Sequence, residues 1–191
     1  MASDRPDLSL EEYRALRATI LERGTTRFVV TTITFVSWAG LLLAANSLSV
    51  VPAIGLIPLV VLAVGFEVGF AIHFGVERIG RFLQVRYESA DTLPGWEHAV
   101  MKVAASKGSS AGIDPLFAWP YCLAATLNLF VVLLMLGPGS ATEVPDLLTT
   151  DAPPPLAFWI YALLHAVLVG RILSARRLAR RQRDADLKLF S

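Results

Sequence analysis

Four apolar runs constrain this chain more than any other feature. They occupy residues 28–48 (FVVTTITFVSWAGLLLAANSL), 52–76, 116–136 and 155–173. A helix needs roughly 20 apolar residues to cross about 30 Å of hydrocarbon, so each run is long enough to span a membrane. Composition points the same way. Charged residues make up 17% of the chain, against about 25% in soluble domains, and the mean hydropathy is +0.57. A net charge of +1 gives no field that would attract nucleic acid. Cys122 is the single cysteine and sits in an apolar run, where it reads as a small hydrophobe.

The cations are distributed unevenly. Five of the 17 Lys and Arg residues precede the first run, five lie between the second and third, and seven follow from Arg171 onward. The two remaining connections contain none and carry Glu143, Asp146 and Asp151 instead. By the positive-inside rule, both termini and residues 77–115 are expected in the cytoplasm of a cell with the chain in its inner (plasma) membrane. Residues 1–27 mix acids with bases and the first run is long, which predicts a retained anchor rather than a cleaved signal peptide.

The expected fold is all-α, an integral membrane four-helix bundle with short cytoplasmic amphipathic helices. Its segments are a cytoplasmic helix in 1–27, a transmembrane hairpin in 28–76, a cytoplasmic helical loop in 77–115, a second hairpin in 116–173 and a basic cytoplasmic tail in 174–191. In LSLEEYRALRATILERG, Ser9 and Glu12 form a capping box, and Gly24 suits a stop, which predicts a helix over about 10–23. Pro58 is expected to bend the second span early. That helix is expected to continue into ERIGRFLQVRYE, with Glu77 and Arg81 paired at i, i+4. WEHAVMKVAASK predicts a short interfacial helix, SKGSSAG a joint, and Asp114-Pro115 a helix start.

Polar residues inside the second span are the candidates for function. On a wheel of about 100° per residue with Glu67 at zero, His73 falls at about 240°, Glu77 at about 280°, Arg78 at about 20° and Arg81 at about 320°. Gly65, Gly69 and Gly80 form a small-residue stripe roughly opposite, suited to close helix packing. Glu67 is expected near mid-membrane, where a carboxylate must be protonated, paired or wet. His73 and Glu77 are four apart and can meet. His165 lies six residues before Arg171 and His73 five before Arg78, which predicts similar depth for the two imidazoles.

Three readings follow. In the first, the polar groups are packing devices that bond across helices to Asn46, Asn128 or a partner subunit. In the second, Glu67, His73, Glu77 and His165 handle protons, ions or a metal. In the third, His73 and His165 are cofactor ligands of one b-type haem. The first is the expectation: a structural or accessory subunit that packs against itself or other membrane protein subunits. Arg171, Arg176, Arg177, Arg180 and Arg181 would face lipid headgroups. No nucleophile–base set, phosphate loop or zinc-type Cys/His spacing occurs, so an enzyme is not expected, and no cofactor or metal is assigned.

Overall fold

The computed structural model describes residues 5–47, 52–88, 95–99, 102, 115–135 and 154–190. Among them there is no strand, and nearly all are helical. The order is α1 (Arg5–Ser47), a 3₁₀ turn (Pro52–Gly55), α2 (Leu56–Arg86), α3 (Pro115–Met135) and α4 (Pro154–Phe190). Each of the four helices is long and apolar enough to cross a membrane. Residues 96–99 form a further helical turn. The connection at 136–153, the SKGSSAG stretch and Asp114 lie outside the described residues.

Two helices are longer than the sequence reading predicts. α1 runs for 43 residues through Gly24, so the expected stop there does not occur, and Ser9 lies within the helix rather than at its cap. A stop at Gly24 would leave carbonyls and amides unpaired immediately before an apolar run, whose side chains offer them no partner. The hydroxyls of Thr25 and Thr26 join the helix instead, donating to the carbonyls of Leu21 and Glu22. α4 continues 17 residues past the expected span end, through RRLARRQRDADLKLF. Ala, Leu, Arg and Gln are good helix formers. Ile172, Ala175, Ala179 and Asp186 are buried at helical spacing, so this extension has an inward stripe of its own.

Among the described residues, the helical prolines sit where helices tolerate them, with one exception. Pro58 is in the first turn of α2, where an amide hydrogen is not needed, so it belongs to the helix start and not to a bend within the span. Pro120 is inside α3 and removes the amide that would bond Leu116.

The chain divides into two compact units, and each is described by itself. The first comprises Met1–Val29, Gly69–Ile113 and Ala175–Ser191; the second comprises Val30–Val68 and Asp114–Ser174. Every Lys and Arg except Arg171 falls in the first, here called the charged unit. In the second, the apolar unit, Phe66 and Tyr121 are fully buried. Phe66 stacks on Phe117 at 6.0 Å and meets Tyr121 edge-on at 5.4 Å, while Phe35 lies 4.9 Å from Tyr121. An added Cβ on Gly65 would collide with the Thr34 side chain, so glycine lets α2 approach α1 here. In the charged unit, Leu83 is fully buried and Phe82 packs edge-on against Tyr87 and Phe190.

Candidate functional site

Within the apolar unit, Asn128 is the centre of a buried polar cluster. It projects from α3, is fully buried, and uses its whole amide. Its Nδ2 donates to the Gly55 carbonyl at 3.1 Å and to His165 Nε2 at 3.0 Å. Its Oδ1 accepts from Trp38 Nε1 at 3.2 Å. His165 Nδ1 donates to the Tyr161 carbonyl at 2.7 Å. A carbonyl can only accept, so Nδ1 carries the proton and Nε2 is the acceptor: the imidazole is neutral. One side chain thus joins α1, the 3₁₀ turn, α3 and α4, and both nitrogens of His165 are engaged.

The apolar unit has only two charged side chains among its described residues, and they pair with each other. Arg171 donates to Glu67 Oε2 at 2.8 Å. Pairing lowers the cost of charge in an apolar setting. Even so, the Glu67 side chain is 47% exposed and that of Arg171 34%. Glu67, expected at mid-membrane, is therefore paired, and Arg171 meets a carboxylate instead of serving only lipid headgroups. The neighbouring α2 surface is apolar, with Val60, Val64 and Val68 all exposed.

In the charged unit, ion pairs carry the packing. Arg81 and Asp186 join α2 and α4 through two bonds, at 2.7 and 3.2 Å, with both side chains buried. Gln182 donates to the other oxygen of Asp186, and Glu77 accepts from Arg81 at 3.0 Å. A second cluster centres on buried Glu88. Its carboxylate accepts from the amides of Glu97 and His98, and Arg17 bridges to Glu88 and Glu97. His98 Nδ1 lies 3.3 Å from the same carboxylate, so this histidine is tied into the unit rather than merely solvated. Burial pushes the Glu97 carboxyl above its ordinary pKa, against the opposing pull of Arg17.

The candidate residues therefore separate. Glu67 takes Arg171, Glu77 takes Arg81, and His165 takes Asn128. His73 accepts from Arg27 at 2.8 Å, a partner on α1 that its spacing from Glu77 did not suggest. His73 belongs to the charged unit and His165 to the apolar unit. Among the described residues, no three His, Cys, Asp or Glu side chains converge as a metal site.

Gly65, Gly69 and Gly80 are buried; Gly65 faces Thr34, and Gly80 faces the Glu97 carboxylate. Arg177, Arg180 and Arg181 are exposed, and the side chains of Arg176 and Asn46 lie outside the described ones. The pairs Arg27–His73, Arg81–Asp186 and Arg17–Glu88 were not foreseen from the sequence. The stripe of Ile172, Ala175, Ala179 and Asp186 was the one signal that could have revealed Asp186. Compared with protein-family models, characterised proteins and solved structures, the chain matches none.

Proposed function

We propose that this protein is a structural or accessory subunit of a membrane protein assembly, and that it meets its partner across the α2–α4 surface bearing Glu67 and Arg171. One observation carries the reading. The only charged pair among the described residues of the apolar unit stays substantially exposed, while the uncharged polar cluster beside it is buried and satisfied. A charge at the centre of a membrane helix costs about 2.5–3.5 kcal/mol on insertion scales. A protein surface that hydrogen-bonds the outer oxygen of Glu67 and the outer edge of Arg171 offsets that cost better than hydrocarbon does. The engaged nitrogens of His165 favour packing over catalysis or ligand binding, because no imidazole of that cluster remains directed at a substrate.

The proposed placement is multi-pass in an inner (plasma) membrane, with both termini and residues 77–115 on the cytoplasmic side. The clustering of cations in one unit supports it. A reporter fused within 138–154 is expected to be active outside the cytoplasm; activity inside would overturn this topology.

The subunit reading is tested by cross-linking in native membranes from Val64→Cys, whose position is one turn from Glu67 and exposed. A stoichiometric cross-link to one protein chain, lost in Glu67→Gln, is the expected result. A colourless monomer of 20.7 kDa in lipid discs, with no product from Val64→Cys, would refute it. So would a Soret band that disappears in His165→Ala, which would establish the cofactor reading instead.

A further inference from the structure

Glu88 follows the last turn of α2 and directs its carboxylate at residues 95–99 of the same charged unit. The side chain is buried, and both of its oxygens are engaged. Oε1 accepts from the Glu97 amide at 3.2 Å and Oε2 from the His98 amide at 3.1 Å. His98 Nδ1 lies 3.3 Å from the same Oε2. Gly95 makes this approach possible, because an added Cβ there would collide with the Glu88 carboxyl group. One side chain at the end of α2 therefore takes up two backbone amides of a turn that follows it in sequence.

α1 contributes a second attachment. Arg17 Nη1 lies 2.8 Å from Glu97 Oε1, and its Nη2 lies 3.7 Å from Glu88 Oε1. Arg17 Nε donates to the Tyr13 hydroxyl at 3.1 Å, which orients the guanidinium. Glu97 also lies against α2, its Oε2 3.1 Å from where a Cβ on Gly80 would stand. Among the described residues, the ionisable groups that face the turn are Arg17 and Tyr13 from α1, Glu77 and Glu88 from α2, and Glu97 and His98 within it. Tyr87 packs on Tyr13 and bonds Glu12.

From this geometry we infer that Glu88, Arg17, Glu97 and His98 form a proton-operated clasp, which holds the 95–99 turn to α1 and α2 in mildly acidic solution and releases it as pH rises. Two protons act in the same direction. One on the His98 imidazole makes its contact with Glu88 charge-assisted. One on Glu97 removes a like charge beside Glu88. Burial raises the pKa of the Glu97 carboxyl in the folded protein, so proton uptake there favours the closed turn. Release returns the Glu88 carboxylate to water and separates Arg17 from both carboxylates. The clasp uses neither Glu67 nor Arg171, so it stands or falls apart from the subunit reading.

The test is backbone amide hydrogen exchange, read by NMR on the full chain in detergent. It runs from about pH 5 to about pH 8, the interval in which an imidazole exchanges its proton. Each rate is divided by the unfolded-chain rate at the same pH, which leaves a protection factor. Protection of the Glu97 and His98 amides should fall about fivefold across that range, the scale of a partly exposed ion pair. The Tyr87 amide bonds the Leu83 carbonyl at 3.0 Å and should keep its protection. The double variant Glu97→Gln with His98→Gln keeps polar groups at both positions and should show no pH dependence. Gly95→Ala should lose protection at the Glu97 and His98 amides at every pH, with Tyr87 unchanged. Protection at those two amides that does not vary with pH would overturn the inference. So would a pH dependence that persists in the double variant, or a parallel loss at Tyr87.

Discussion

α2 and α4 are joined by two arginine–carboxylate pairs that differ mainly in their surroundings. In the charged unit, Arg81 and Asp186 are 105 residues apart in sequence and 5% and 2% exposed. In the apolar unit, Glu67 and Arg171 are 104 apart and about ten times more exposed. Both pairs are close, at 2.7 and 2.8 Å. The difference lies in what covers them. Around the buried pair, Gln182 donates to Asp186 Oδ1, Glu77 accepts from Arg81, and Arg78 lies 3.8 Å from Asp186. The exposed pair lies next to an α2 surface of exposed valines, Val60, Val64 and Val68. The enclosed pair completes its contact within the chain, and the open pair is the one proposed above to meet a partner.

The sharpest way to break that contrast is to remove one member of the buried pair. Asp186→Ala strands a buried guanidinium and should cost about 3–5 kcal/mol of unfolding free energy, measured by denaturant titration in detergent. The double variant Arg81→Met with Asp186→Leu should recover most of the loss. If Asp186→Ala proves nearly neutral, the burial contrast has no energetic meaning.

Asn128→Ala comes next. It removes three hydrogen bonds that link four segments of the apolar unit. Interhelical bonds in membranes average about 0.6 kcal/mol, so a loss of about 2 kcal/mol is expected from the same titration. Asn128→Asp should be worse than the alanine variant, because the carboxylate would face an imidazole lone pair at Nε2.

Glu67→Gln should cost less than about 1 kcal/mol in detergent, as exposed pairs generally do. Its effect should appear instead in the recovery of assembled complex from native membranes. A large stability loss with intact assembly would reverse the assignment of the two pairs.

The smallest effect concerns pH. Glu97 has a folded pKa raised above its usual 4.5 by burial. The folded protein therefore holds that proton more tightly than the unfolded chain. The corresponding stability is fully present below pH 4.5 and is lost as pH rises through the elevated folded value. Glu97→Gln should flatten the stability profile across that interval, and an unchanged slope would remove Glu97 as its source.

Much of the architecture could be read directly. Runs near 20 apolar residues have few alternatives to helix, and the breaks between them are marked by proline, glycine and charge. The i, i+4 spacing of Glu77 and Arg81 also announced their contact. Helix ends were harder to read. Gly24 looks like a stop by local rules, but a local rule yields where ending the helix would leave backbone groups unpaired beside hydrocarbon. The 174–191 tail looks like a solvated basic segment until its buried stripe of Ala175, Ala179 and Asp186 is noticed. The site was least legible. Polar residues in an apolar helix advertise that they need partners, but spacing names only partners on the same helix.

Sequence alone decided that this chain forms long apolar helices, that its cations other than Arg171 avoid the apolar stretches, and that Glu67 must be protonated, paired or wet. These follow from the cost of leaving backbone groups and charge in apolar surroundings, a cost each residue carries wherever it is placed. Only the tertiary structure decided that Arg171 answers Glu67, that Asn128 answers His165, and that the two histidines have separate surroundings. Those outcomes depend on how one helix is set in register against another, and that setting is fixed by side chains 37 and 104 residues apart in sequence.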